Sequence, residues 1–370
     1  GDLVIKAIAD YATYELPIIN ITTKNNGNIS SKINYTEMTL SLINADEELS
    51  NIAGGIRLRG NTTLTYVKKP YRIKFDKKQS LFGLQKAKSW VLLAEYLDPS
   101  ALHNYTAMAL GEMADGMKFN ATAHKVNVYI NGQYDGLYTL CEQIQENEGR
   151  IDIEQTITPD MTDLRDFNFF FCLDESVKSD VDAIEGETYF VIKKYGTPMY
   201  FELKYPEKSD FTSEAQFRSF FSQLSSYVED MLDIAYTRNY TRMQEEFNLD
   251  SLIDYFIIDQ IMGERDHSKK SFNMYYTTTS SDEREIGKLT FGPIWDYDWC
   301  LHTPWTGYPN LYYDLETTVT KSAYSNWFFS AIRYTDELYT RAKIRYQTHF
   351  YPAIQELLPE LYAVTAKISF

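Results

Sequence analysis

Cysteine is scarce in this chain. Cys141, Cys172 and Cys300 are the only three in 370 residues, and no Cys-x-x-Cys pair occurs. That argues against a zinc ribbon or a dithiol redox motif, and the odd count leaves at least one thiol free. All three stand in apolar surroundings, the usual setting of cysteine as a small buried hydrophobe. Histidine is almost as rare. His103, His124, His267, His302 and His349 form no i,i+4 pair, which speaks against a histidine-held metal or a histidine-based hydrolase. No run approaches the ~18 apolar residues of a membrane span. Basic charge is in deficit, with 36 Lys and Arg against 52 Asp and Glu and a formal charge of −16. Such a chain is a poor electrostatic match for nucleic acid or an anionic membrane. There is no Pro/Ser linker, internal repeat or low-complexity segment. The first residues, Gly1-Asp2, read as a mature or trimmed form from which any export signal has been removed.

Aromatic residues are plentiful. Thirty Tyr and 21 Phe, within a hydrophobic fraction of 44%, supply a sizeable core and exclude disorder. Strand patterns dominate the first half. Residues 16–23 read as a strand, 37–43 as another with apolar residues alternating at Met38, Leu40 and Leu42, and 56–59 runs as a strand into the turn Gly60-Asn61. In the segment 71–75, Tyr71, Ile73 and Phe75 alternate with Arg72 and Lys74, giving one apolar and one basic face. Residues 90–96 are another apolar strand or buried segment. Asp98-Pro99-Ser100 starts a helix over 101–117. Residues 125–130 and 136–144 form strands joined by Asn131-Gly132, a strong hairpin signal. Further strands are expected at 167–173, 188–194 and 199–205. Phe217, Phe220, Phe221, Leu224, Tyr227, Val228 and Leu232 recur at helical spacing within 213–235. The end, 335–368, reads as helix, broken at Pro352 and bent at Pro359. The expectation is an α+β chain of two lobes around one cleft, with a β-rich part over 1–205 and a helix-rich part over 206–370.

The stretch from Leu252 to Leu301 carries the densest chemistry. An apolar helix over 252–262 leads into Gly263-Glu264-Arg265-Asp266, and a strand over 271–276 follows. After a charged turn, 288–299 returns as a second strand that includes Asp296 and Asp298. Asp266 and Asp296 fall at element ends, with Ser271 and Asn273 between them. Carboxylates with a neutral oxygen suit a hard cation such as Mg²⁺ that also meets a phosphate.

Four stretches, in order, resemble the CotH family, the spore coat protein H kinases with an atypical protein-kinase-like fold. They are Ile56-Arg57-Leu58-Arg59-Gly60-Asn61-Thr62-Thr63 with Lys68-Lys69-Pro70-Tyr71-Arg72-Ile73-Lys74-Phe75; Leu81-Phe82-Gly83-Leu84 leading to Trp90-Val91-Leu92-Leu93-Ala94; Val128 through Tyr138 with Glu142-Gln143-Ile144; and Gly292-Pro293-Ile294-Trp295-Asp296-Tyr297-Asp298. The resemblance spans roughly 16–305 and leaves the C-terminal helices unmatched. It implies transfer of the ATP γ-phosphate to Ser or Thr of a surface, coat or secreted protein, with Mg²⁺ or Mn²⁺. By the same resemblance Asp266 orients the acceptor hydroxyl, while Asp296, Asn273 and Asp298 hold the metal. Arg59, Lys69 and Lys74, on the basic face they share with Arg57, meet the triphosphate. Glu142 either pairs with the lysine or faces the adenine. The implied location is extracytoplasmic, secreted or at the cell surface, with a lipid anchor before trimming as one form.

The chain departs from kinase patterns at several points. Glu264-Arg265-Asp266 stands in place of His-Arg-Asp, and Trp295-Asp296-Tyr297-Asp298 in place of Asp-Phe-Gly. The Gly-rich loop is reduced to Gly60-Asn61. Five residues after Asp266, where a kinase carries its metal-binding Asn, stands Ser271, with Asn273 two further on. Three alternatives follow: Asn273 reaches the metal, Ser271 supplies a hydroxyl, or the site no longer holds one. The second reading is therefore a non-catalytic protein of the same fold, with a structural, adhesion or assembly role. A third is transfer of AMP from a nucleotide turned around in the pocket. A fourth is glycan binding on Trp295, Trp299 and Trp305.

Overall fold

A computed structural model describes residues 16–180, 182–194, 196–264, 266–301 and 326–368. They group into two compact units. The first comprises the described residues within Gly1–Ala109, Ala121–Gln143 and Gln355–Phe370; the second comprises those within Leu110–Asn120 and Ile144–Ile354.

The first unit is a closed barrel of seven strands: β1 Ile18–Thr23, β2 Thr36–Ile43, β3 Leu49–Leu58, β4 Tyr71–Gln79, β5 Ala87–Leu93, β6 Ala123–Ile130 and β7 Gln133–Glu142. Their order is β1-β2-β3-β4-β5-β7-β6, and the parallel pairing of β1 with β6 closes the ring. The alternation expected in β4 is observed. Tyr71, Ile73 and Phe75 are buried, while Arg72 is half-buried and Lys74 exposed. Ile19, Ile21, Leu40, Ile56, Ile73, Trp90, Leu92, Val126 and Val128 fill the interior, each excluded from solvent. The β6–β7 hairpin turns at Asn131 and Gly132, with φ of 52° and 76°. Two successive positive φ values make the tight turn that matches strand twist, which explains the Asn-Gly dipeptide. At Gly54 a Cβ would stand 2.7 Å from the Lys74 carbonyl oxygen, so only glycine permits this approach of β3 to β4.

The second unit is built on an antiparallel sheet ordered β12-β11-β8-β10-β9. Its strands are β8 Phe169–Leu173, β9 Tyr189–Ile192, β10 Met199–Tyr205, β11 Phe272–Tyr276 and β12 Leu289–Phe291. Every residue of β8 and β11 is buried, the mark of strands covered on both faces. Helix Glu214–Tyr236 is capped by Ser213, whose hydroxyl accepts from the Gln216 N–H, and it buries Phe217, Phe220, Phe221, Leu224, Tyr227 and Val228. Burial of each such side chain stabilises by roughly 1.5–3 kcal/mol. Helix Leu249–Met262 is apolar nearly all round and correspondingly enclosed; Gly263 ends it in the left-handed conformation.

The chain is thus mixed α+β, with a β-rich N-terminal part and a helical C-terminal part, as expected; the β-rich part is a seven-stranded barrel, an architecture the expectation did not include. The closing contact joins Ile18 to Asn127, and no local pattern reports so distant a parallel pair. The five-stranded sheet draws strands from both sides of residue 205. The first helix runs only from His103 to Met113, and two helices, Tyr240–Glu246 and Trp327–Tyr334, had no expectation. Near the C-terminus the break is a five-residue π turn, Tyr346–Phe350, between helices Asp336–Arg345 and Tyr351–Ile368. Pro352 comes just after this π turn, in a helical run that continues through Pro359. No helix among the described residues is long and apolar enough to cross a membrane.

Candidate active site

In the second unit the helix Leu249–Met262, the turn Asp266–Ser268 and strand β11 carry the candidate residues in sequence. The left-handed Gly263 reverses the chain at the helix end. The Asp266 N–H donates to Glu264 Oε1 at 2.6 Å, and the Asp266 carboxylate stands 4.0 Å from the Lys270 ammonium. Both groups are about one-third exposed, so the pair is open to exchange of partners. Burial pushes the Glu264 carboxyl up to about 7, with the nearby Asp259 and Asp266 carboxylates adding to the rise against the His267 charge.

The structure brings Ser271 to Asp296. The Ser271 hydroxyl donates to Asp296 Oδ2 at 3.0 Å. Asp296 is exposed and has a left-handed φ of 73°. Asn273 is placed differently. It is buried in β11 opposite Cys172, and its amide donates to the Pro293 carbonyl at 2.9 Å. The strand expected over 288–299 ends at Phe291, so Asp296 and Asp298 do not project from a strand, and Asp298 stands half-buried at a turn. Among the described residues no group of three or more His, Cys, Asp or Glu has metal-holding geometry. Cys141, Cys172 and Cys300 are all buried, and none of them forms a disulfide. Burial, reinforced by the Asp174 carboxylate, raises the Cys172 thiol well above its ordinary value, so it is inert.

A network that the sequence reading did not assemble lies behind these residues. The buried His267 ring stands with Nδ1 2.9 Å from Asp259 Oδ2 and Nε2 2.6 Å from the Trp295 carbonyl oxygen. The Tyr297 hydroxyl donates to Asp259 Oδ1 at 2.5 Å. Burial opposes the imidazolium, but the Asp259 carboxylate outweighs it and lifts His267 to about 10. The available signal was the position of His267 directly after Asp266.

In the first unit the four candidates serve different ends. Lys69 donates to the carbonyl oxygens of Leu64, at 2.6 Å, and Tyr66, so its ammonium ties down the turn that follows Gly60-Asn61. Arg59 lies near Arg72, which is Cα partner to Arg57 across β3 and β4. Arg72 therefore extends the arginine row beyond the expected set. Lys74 is exposed opposite Ser89, whereas Glu142 is buried opposite Trp90. Successive residues of a strand face opposite ways, so Lys74 and Glu142 occupy opposite sheet faces and do not pair. The Glu142 carboxylate accepts instead from the Thr122 N–H at 3.3 Å. The buried lysine–carboxylate pair of this unit is Lys125 with Glu95, at 3.6 Å, with Thr139 bonded to both.

Trp305 lies outside the described residues. Trp295 and Trp299 are half-buried. A family model described as CotH kinase protein matches residues 56–358. No curated protein matches the chain.

Proposed function

The chain belongs to the CotH kinase protein family, and from that premise we propose that it transfers the γ-phosphate of ATP to serine or threonine of a surface, coat or secreted protein outside the cytoplasm. One observation carries the reading. The residue five positions after Asp266 is Ser271, and its hydroxyl bonds to Asp296 at 3.0 Å. Kinase spacing puts a metal ligand at that position, and a Ser hydroxyl with an Asp carboxylate is a Mg²⁺-holding set known from phosphate-loop enzymes. Mg²⁺ keeps several waters and needs few protein oxygens, so one carboxylate and one hydroxyl fit it without a third acidic ligand.

In this reading Asp296 and Ser271 would hold Mg²⁺ or Mn²⁺, which would neutralise charge on the phosphates. Asn273 has its amide committed to Pro293 and supports the loop. Asp266 accepts the acceptor's proton as the new O–P bond forms and the bond to the leaving ADP breaks. Within the barrel unit, Arg59, Arg72 and Lys74 form a basic row, and Lys69 ties down the turn that follows Gly60-Asn61. A second reading, a non-catalytic structural or adhesion protein, is favoured by the lack of a three-ligand cluster among the described residues.

The test is thermal unfolding with ATP plus Mg²⁺ or Mn²⁺, for the unaltered chain and for Asp296→Asn. Ligand at about 100 times its dissociation constant stabilises by about 2.7 kcal/mol, a rise of roughly 2–4 °C or somewhat less. A metal-dependent rise that Asp296→Asn abolishes supports the kinase. No rise with any nucleotide leaves the structural role.

A further inference from the structure

We propose that His267 is a positioning residue whose charged ring clamps the loop bearing Asp266 to the loop bearing Asp296; the inference rests on the phosphoryl-transfer reading above. The ring is 1% exposed. Nδ1 faces both Asp259 oxygens, at 3.0 and 2.9 Å, and Nε2 faces the Trp295 carbonyl at 2.6 Å. A carboxylate and a carbonyl only accept, so both ring nitrogens carry hydrogen and the ring is an imidazolium. Bonds with a charged partner are the strong ones, and enclosure keeps water from competing.

The clamp has further attachments on either side. Asp259, in the last turn of its helix, also accepts from the Tyr297 hydroxyl at 2.5 Å. The Tyr297 ring meets the His267 ring edge to face, with centroids 4.9 Å apart. The His267 carbonyl accepts from the Asn326 amide at 3.0 Å, and Asn326 itself caps the helix Trp327–Tyr334. The two residues flanking Asp296 are therefore both anchored to the His267–Asp259 pair. Asp296 between them has φ of 73°, a conformation that a non-glycine residue keeps only where its surroundings over-determine it. The clamp supplies that determination and leaves the Asp296 carboxylate free to meet Ser271. On the other loop it fixes the residue next to Asp266. One buried ring thus sets both candidate carboxylates without touching either.

The probe is Mn²⁺ with ATP, followed by electron paramagnetic resonance on the full chain well below its melting temperature. His267→Gln can satisfy only one of the two acceptors. It is expected to weaken Mn²⁺–ATP binding about 10–100-fold, the usual cost of losing a group that orients metal ligands. A purely structural role would lower the melting temperature and leave this affinity alone. Tyr297→Phe removes one hydroxyl and serves if His267→Gln does not fold; it is expected to weaken binding severalfold. Affinity unchanged in a folded His267→Gln, or in Tyr297→Phe where that stands in, overturns the clamp while the kinase reading stands. Failure of the unaltered chain to bind Mn²⁺–ATP overturns the kinase reading and the clamp with it.

Discussion

The two units treat buried positive charge in opposite ways. In the barrel, burial prevails. It pulls Lys68 down to about 8 and His124 to about 4, and it lowers Lys125 and Arg72 as well, although Glu95 opposes the fall at both lysines. In the sheet unit the partner prevails. His267 rises to about 10 against its burial because Asp259 bonds it directly, and Arg345 rises because Asp254, itself fully buried, takes two of its N–H groups at 2.8 and 2.9 Å. The difference is geometric. Glu95 stands 3.6 Å from Lys125 and spends its closest bond, at 2.5 Å, on the Thr139 hydroxyl. A carboxylate compensates a buried cation only where it meets the donor face to face.

The largest expected effect tests that contrast. Asp259→Asn removes the charge that holds His267 protonated and weakens the bonds to its ring and to the Tyr297 hydroxyl together, and should cost about 3–5 kcal/mol in denaturant unfolding. Glu95→Gln should cost less, about 1–3 kcal/mol, because Lys125 keeps its direct bond to Thr139. Equal costs for the two variants would mean that the barrel depends on its ion pair as much as the sheet does.

The pH response should differ in sign as well. His124 lies flat on the Phe82 ring, centroids 4.1 Å apart, and its folded value near 4 is below the ordinary 6.5. Its contribution is present above pH 6.5 and is lost as pH falls toward 4. His267, raised from 6.5 to about 10, contributes fully below pH 6.5 and loses that contribution as pH rises through 10. Glu264, raised from 4.5 to about 7, favours the fold below pH 4.5 and loses that as pH rises through 7. His124→Phe keeps the stacked ring without the proton. Between pH 7 and 4 the unaltered chain should lose roughly 2–3 kcal/mol more than this variant. Parallel acid limbs would place His124 in contact with water and remove the contrast.

How far the sequence announced this arrangement depends on the range of the contacts. Local signals held. Alternation placed β4, Asn131-Gly132 placed the β6–β7 hairpin, and helical spacing of phenylalanines placed Glu214–Tyr236. Much of the aromatic abundance is accounted for by packing in the sheet unit. Phe169 stacks on Tyr276 at 5.0 Å and meets Phe220 edge to face, while the barrel interior is mostly aliphatic. What was not legible is long-range. The β1–β6 closure, the His267–Asp259–Trp295 network and the Lys125–Glu95 pair each join residues that no periodicity links. The spacing argument did single out Ser271 as one alternative at the metal, and its hydroxyl is the group found against Asp296. Lys74 stands out by its place in mid-strand, yet a strand pattern cannot say which lysine a fold encloses; among the described residues Lys125 is buried.

The smallest expected effect concerns what fastens the cover of the sheet. Ser213 caps the helix Glu214–Tyr236 by accepting from the Gln216 N–H at 3.1 Å, and Gln216 in return accepts from the Thr212 N–H and hydroxyl. Ser213→Ala removes one of these bonds at an exposed helix end, where water replaces it, so the loss should be about 1 kcal/mol. The buried aromatic face of the helix, not its first turn, holds it to the sheet. The substitution also leaves the His267 clamp untouched, so Mn²⁺–ATP binding should remain that of the unaltered chain while the melting temperature falls slightly. A loss well above 2 kcal/mol would shift the anchoring from the aromatic face to the capped turn. The sheet unit would then depend on a surface hydrogen bond where the barrel depends on its core, the reverse of the assignment argued from the phenylalanines.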